Sequence, residues 1–300
     1  MSSWRRRPTR RDDAPAIAEL VTAMDVAVLG RSDYSLEELH DEWRDLDVER
    51  DSWVVEGDGR IAGFGSVEQR DGHWRVDAYV DPAVWGRGVG RLLVEELEAE
   101  VASRGARRVE NAVLLRDLRA QGLLVSCGYR EIRRFQHMRI ELDAEPPAPG
   151  WPAGLTHGRF DERDAEAFHA ALEDAFADHW EWEALAFEDW RRLELERDGY
   201  APELWSVVRD GDEIVAGTVC LPERLGAGWV ARVFTRRAWR GRGIGEALVR
   251  QAFRDFWQRG QPVVGLGVDA QSTTGANRLY ERLGMHVHWG AVVFEKDLAR

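Results

Sequence analysis

Apolar residues fall at helical spacing in two places: Ile17, Leu20, Val21 and Met24 within residues 13–27, and Phe168, Leu172, Ala175 and Phe176 within residues 161–177. Positions three and four apart share one helix face, so each stretch is predicted as an amphipathic helix. Two short β-like runs follow each, at 53–56 and 61–67 in the first half and at 205–208 and 214–221 in the second. Gly57-Asp58-Gly59 and Asp210-Gly211-Asp212 stand between them and predict hairpin turns. A further strand, near 75–80 or 229–235, feeds a glycine-rich loop. In the second half Ile244, Leu248, Ala252 and Phe256 then mark a helix that Gly260 ends. A strand at 263–268, a short helix at 275–283 and a last strand near 291–296 complete the pattern. Strands mixed with interspersed helices imply an α/β sandwich with an antiparallel front half and a parallel crossover at the glycine loop.

The pattern repeats at an offset of about 155 residues. Val80-Asp-Pro-Ala-Val-Trp-Gly86-Arg-Gly88-Val-Gly90 matches Thr235-Arg-Arg-Ala-Trp-Arg-Gly241-Arg-Gly243-Ile-Gly245, and Ile61-Ala-Gly63 matches Val215-Ala-Gly217. A period this long indicates two copies of one domain rather than a solenoid. Four prolines within residues 143–152 mark a stiff linker. The expected organisation is therefore residues 1–143, a linker at 144–154, and residues 155–300.

Composition narrows the function. With 44% hydrophobic and 32% charged residues the chain has material for ordinary cores. No apolar run approaches the ~20 residues that span a bilayer, and the N-terminus lacks the apolar stretch of a secretory signal, so no membrane association is expected. Cys127 and Cys220 are too few for a disulfide framework or a CxxC metal site, and a reduced, cytoplasmic setting is expected. His286 and His288 lack further ligands at metal spacing, so no metal is expected. A net charge of −13 argues against nucleic-acid binding and suits a cationic or amine-bearing substrate. Lys296 is the only lysine, which leaves essentially no candidate for a Schiff-base mechanism.

The glycine loop carries the chemistry. It ends Gly245-Glu246-Ala247 where a Walker A loop needs Gly-Lys-Ser/Thr. Five residues separate the strand from Gly241, a poor fit to a dinucleotide fingerprint, although Asp269 stands where a ribose partner would. What remains is a loop exposing backbone N–H groups at a helix N-terminus, which binds phosphate without a side chain. Arg240 and Arg242 add cationic donors. In the first half Trp85 stands in place of Arg240.

These residues resemble the GNAT superfamily of N-acetyltransferases, whose signature Arg/Gln-x-x-Gly-x-Gly/Ala is met at every position by Arg240 to Gly245. The likeness covers nearly the whole chain, one domain per half, and the tandem is similar to mycothiol synthase-like members. It implies two α/β domains, each a mixed, mostly antiparallel sheet flanked by helices. It also implies acetyl transfer from acetyl-CoA to a small-molecule amine, by a monomer or homodimer. Backbone amides of Val233, Phe234 and Thr235 would hold the pantetheine arm, and Arg240, Gly241, Arg242, Gly243, Ile244 and Gly245 the diphosphate. Ser272 or Thr273 would stand where the family often has a cofactor-binding asparagine. Tyr280 would be the proton donor to the leaving thiolate. Val80, Gly86, Arg87, Gly88 and Gly90 form the equivalent cofactor loop of the first half, but Leu124 replaces Tyr280 there, so the second half is expected to be the catalytic one. On the acceptor side Asp178, His179, Trp180, Glu181 and Glu183 form an acidic-aromatic cluster suited to an ammonium group, with His179 able to relay a proton. The alternative is a degenerate acyl-CoA sensor without turnover.

Overall fold

The computed structural model describes residues 4–298 apart from Asp45, Asp71, Gly72, Glu181, Asp198 and Thr273. The chain divides into two compact units, residues 1–135 with 289–300 and residues 136–288.

In the first unit β1 (Arg5–Pro8), β2 (Ser52–Gly57), β3 (Arg60–Arg70), β4 (His73–Val80) and β5 (Arg108–Leu114) stand in chain order. The C-terminal part of β12 (His286–Asp297) closes this sheet, pairing antiparallel with β5 from Ala291↔Leu114 to Asp297↔Arg108. The β4–β5 pair is parallel, and β1 to β4 are joined by antiparallel ladders. The hairpin between β2 and β3 turns at Asp58 and Gly59, both with positive φ (54° and 77°), which is why a short polar residue and a glycine stand there. Helices α1 (Ala14–Leu29), α2 (Leu36–Glu42), α3 (Val48–Asp51), α4 (Val89–Ser103) and α5 (Leu118–Ser126) cover the sheet. Successive side chains of β3 point to opposite faces. Gly63 and Gly65 lie under α4, where an added Cβ would come 2.9 Å from Leu93 or Leu97. Phe64 packs instead in the cluster of Ile17 and Val21 from α1. Helices α1 and α4 thus lie on opposite faces of this sheet.

The second unit repeats the plan in the order β6 (Arg130–Glu141, C-terminal part), β11 (Val263–Asp269), β10 (Ala227–Thr235), β9 (Glu213–Arg224), β8 (Ser206–Asp210), β7 (Leu155–Arg159). Helices α6 (Ala165–Phe176), α7 (Phe187–Leu195), α8 (Ile244–Gln258) and α9 (Ala276–Arg282) complete it. Phe168, Trp205 and Phe256, each 0% exposed, anchor its core. Burial of one such side chain contributes roughly 1.5–3 kcal/mol. Gly228 on β10 is fixed by that packing, because a Cβ there would sit 2.4 Å from the Phe256 ring. Gly228→Ala is expected to lower stability by about 1–3 kcal/mol, read as a lower urea midpoint at an unchanged slope.

Both sheets are mixed and mostly antiparallel, as the sequence pattern implies. The repeat places a contiguous half on each side of a proline-rich join. The compact units instead part at 135/136 and 288/289, and residues 144–154 lie inside the second. The end strands β6 and β12 are the same element of the repeat, one following α5 and the other α9. Their sequences do not declare which sheet each completes.

Candidate active site

The parallel ladder between β10 and β11 comprises only Gly228↔Val264 and Trp229↔Gly265. Beyond Trp229 the strands diverge, leaving the inner edge of β10 through Val233, Phe234 and Thr235 without a ladder on that side. Its outer edge stays paired to β9 as far as Thr235↔Ala216, with a register shift between Val230 and Arg232 that makes a bulge at Ala231. A bulge re-aims the peptide groups that follow it. Phe234 is 2% exposed and packs edge-on against Phe168, 5.0 Å between centroids, which holds the diverging strand rigid.

Thr235 leads through a short turn into Gly241 and Gly243, with φ of 76° and 84°. A Cβ at either would meet nothing within 4 Å, so the glycines answer backbone conformation and leave open space over the first turn of α8. Gly243 caps α8 and Ile244 is buried beneath it. The N-terminus of α8, capped by Gly243, therefore opens onto a cradle suited to a diphosphate. Arg240 has a more specific task than a free cationic donor. Its Nε donates to Thr235 O at 3.2 Å and its Nη2 to Ala175 O at 2.7 Å, and it pairs with Asp178 at 3.4 Å. It thus ties the loop to the end of β10 and to the C-terminus of α6. Arg242 donates to Ala238 O at 3.1 Å.

Helix α9 leans on this cradle, with Leu279 packing 3.6 Å from where a Gly245 Cβ would lie. The next residue, Tyr280, is 8% exposed among Val268, Val233 and Met285. No protein group among the described residues hydrogen-bonds its hydroxyl, and burial pushes the phenol up to about 12. Asn277, which sequence reading passed over, donates from Nδ2 to Asp269 O at 3.0 Å and Ala270 O at 3.3 Å. It pins α9 to the end of β11 and so aims Tyr280; its place one helical turn before the tyrosine was the available signal. Ser272 sits in the turn after β11, its Oγ 2.8 Å from Thr274 Oγ1. Thr273 lies outside the described residues.

On the α6 side Asp178 pairs with Arg237 and Arg240, which makes it a brace of the loop. His179 is half-buried with its ring 4.3 Å from Phe176. Burial and then the charge of Arg240 lower its pKa below the ordinary 6.5, against weaker opposing effects of Asp269 and Asp178. Trp180 is partly buried beside His179. Glu181 lies outside the described residues, and Glu183 is exposed. Glu173 organises this wall, accepting from Trp182 Nε1 at 2.8 Å and Leu185 N at 3.3 Å.

The first unit reproduces the cradle but has neither the bulge nor the tyrosine of the second. Its β4–β5 ladder ends at Val76↔Asn111, and Gly86 and Gly88 take φ of 76° and 89° below Arg87 and Gly90 at the start of α4. Trp85 stands in for Arg240: its Nε1 donates to Val80 O at 2.9 Å, as Arg240 Nε does to Thr235 O. A cavity of about 380 Å³ opens beside this loop, lined by Val80, Trp85, Gly86, Gly88, Gly90 and Asn111 among others. The β3–β4 register runs without a shift, so β4 has no bulge. Leu123 lies over Gly90 as Leu279 does over Gly245, which puts Leu124, 2% exposed, in the place of Tyr280.

In each of two units a sheet opens beside a glycine-capped helix, the arrangement of a tandem α/β fold with a phosphate cradle in each half. The sequence profile of the Acetyltransferase (GNAT) family matches residues 15–129 and 165–285. The mycothiol acetyltransferase of Thermobispora bispora is 32% identical over 240 residues, covering 77% of this chain and 78% of that protein. A crystallised GCN5-related N-acetyltransferase from Sphaerobacter thermophilus is 35% identical with a TM-score of 0.89, covering 98% of this chain and 95% of that one. A tandem GNAT protein from the clavulanic acid biosynthesis pathway shares the fold across 99% of both chains at 16% identity, with a TM-score of 0.76. The chain belongs to the GNAT family of acetyltransferases and is an acetyl-CoA-dependent N-acetyltransferase. The open glycine cradles and unladdered strand edges fit that cofactor. Among the described residues no helix is long and apolar enough to cross a membrane, and no cluster of side chains is arranged to hold a metal ion.

Proposed function

We propose that the second unit transfers an acetyl group to the primary amine of a small molecule, with Tyr280 as general acid and His179 as general base. The observation that carries this reading is that the β10 bulge and Tyr280 occur together in the second unit, while the first has an unbroken register and Leu124. Bound acetyl-CoA supplies an activated thioester. Arg242 to Gly245 would hold the diphosphate through backbone N–H groups, with Arg240 and Ser272 fixing the loops on either side. The peptide groups of Val233, Phe234 and Thr235, preorganised in an apolar cleft, would bind the pantetheine arm and polarise the thioester oxygen. His179, neutral at pH 7, would take the proton the amine releases as its nitrogen bonds to the acetyl carbon. Tyr280, protonated at every working pH, would donate to the sulfur as the C–S bond breaks. The amine enters the step neutral, its ammonium proton already lost to water; one further proton then leaves nitrogen for His179 and one reaches sulfur from Tyr280, so the exchange balances. Trp180 would stand on the neighbouring wall toward a cationic acceptor, while Asp178, held by Arg237 and Arg240, braces the loop. Relatives named for a small-molecule thiol support an acceptor of that size, and the charge of −13 suits a cation.

The test is release of free thiol from acetyl-CoA with a panel of primary amines. Because His179 works unprotonated, kcat/KM expressed per neutral amine is expected to rise with pH through a midpoint below 6.5 and to stay level across pH 7–8. Tyr280 imposes no falling limb below pH 10. His179→Gln should remove the acidic limb and lower kcat/KM by about 10²-fold or more. A limb unchanged in that variant would assign the base elsewhere. For the first unit the cavity beside its glycine loop supports cofactor binding without turnover through Val80, Gly86, Arg87, Gly88 and Gly90.

A further inference from the structure

The two units differ at a matched pair of positions beyond their glycine loops. In the first, the parallel ladder of β4 and β5 closes at Val76↔Asn111, and Asn111 shares a strand face with Val109 and Val113. That face looks onto α4 and α5, where Val109 packs with Val94 and Leu124. At the repeat offset of about 155 residues the second unit has Leu266, 1% exposed in the same cluster as Tyr280. The first unit therefore pairs an asparagine with a leucine where the second pairs a leucine with a tyrosine. The polar group has moved from the helix to the strand.

Asn111 is 2% exposed and lines the first unit's cavity together with Leu124, and no protein group among the described residues hydrogen-bonds its carboxamide. A buried amide without a partner is costly, and a polar ligand in the cavity would relieve it. Its place in the sheet says which part of a ligand it meets. Ala78 and Val80 line the same cavity, between the glycine loop and the vertex where β4 and β5 part. A cofactor arm entering beside Gly86 and Gly88 and following β4 would bring its far end, the sulfur and what it carries, to Asn111. β4 keeps an unbroken register with β3, so no bulge re-aims its peptide groups toward that end.

Taking the first unit as a cofactor site without turnover, as above, we propose that it holds acetyl-CoA in preference to free CoA, with an N–H of the Asn111 carboxamide donating to the thioester oxygen. A carbonyl oxygen satisfies that donor, whereas a thiol or thioether sulfur is a weak partner for it. Leu124 has no proton to give a departing sulfur, so a thioester bound there would stay intact. Asn111 is then the specificity-determining residue of the site, and the first unit fills with the acetylated cofactor ahead of its spent form.

Titration calorimetry of the full chain without an amine acceptor tests this, using acetyl-CoA, free CoA and S-ethyl-CoA. The last keeps the size of the acetyl thioester and replaces its carbonyl by a methylene. The wild type should bind two cofactors per chain. At one of the two sites acetyl-CoA should bind about five- to tenfold tighter than either other form, the range of one neutral hydrogen bond. Asn111→Leu, which installs the second unit's residue, should bring both ratios at that site to within about twofold and leave those at the other site unchanged. Replacing an unpartnered amide by an apolar side chain should not lower the melting temperature. If leucine is too large for the variant to fold, Asn111→Ala makes the same comparison. Ratios that survive in the variant, or S-ethyl-CoA binding as tightly as acetyl-CoA at both wild-type sites, overturn the proposal. A single cofactor per chain, insensitive to Asn111→Leu, removes the first unit as a cofactor site and the proposal with it.

Discussion

Tyr280→Phe should lower kcat for thiol release about 10²–10⁴-fold, the range a positioned general acid contributes. Its hydroxyl has no protein partner among the described residues, so its removal leaves no buried group unsatisfied. Melting temperature should therefore hold, and the affinity for CoA measured by calorimetry should stay within about twofold if the phenol acts on the departing sulfur and not on the bound cofactor. The opposite pattern, with wild-type turnover in Tyr280→Phe and none in a Gly88 and Gly90 lesion, would move the chemistry to the first unit.

The second large effect concerns Arg240. Arg240→Ala removes donors to Thr235 O and Ala175 O together with the contact to Asp178. Hydrogen bonds from a charged group are worth about 1.5–3 kcal/mol, so the KM for acetyl-CoA should rise about 10–100-fold. Arg240→Trp is the informative comparison, because the first unit closes the same loop with Trp85 Nε1 on Val80 O at 2.9 Å. The tryptophan should restore KM to within about fivefold of wild type. It cannot reach α6 in the same way, so kcat should stay reduced. If Arg240 instead contacts phosphate directly, tryptophan and alanine will be equally poor.

The sequence announced this architecture where local chemistry repeats. The glycines of both loops, the hairpin turns at Asp58-Gly59 and Gly211, and the apolar period of α8 each have a local cause. The decisive asymmetry was only half visible. Leu124 against Tyr280 can be read from an alignment of the halves, but the bulge at Ala231 carries no glycine or other marker, because it arises from how β10 pairs with β9. Arg240 was legible as a cation and not as a tether, since Ala175 and Asp178 are more than sixty residues away in the chain. The strands β1, β6 and β7 and the helices α2 and α7 also escaped notice. They are short, or charged along one face, and their stability comes from the sheets and helices they join.

One feature of the chain order bears on synthesis. The first unit lacks its sixth strand until residues 289–298 have been made, although everything else it needs is present by residue 135. At the usual 5–20 residues per second, the intervening 136–288 segment takes about 8–30 s to translate. Throughout that time β5 presents an open backbone edge, which invites pairing with any extended chain nearby. The oldest part of the chain can therefore close only after the whole second unit has been made, and the nascent chain, more than the finished enzyme, is the form a chaperone would need to guard.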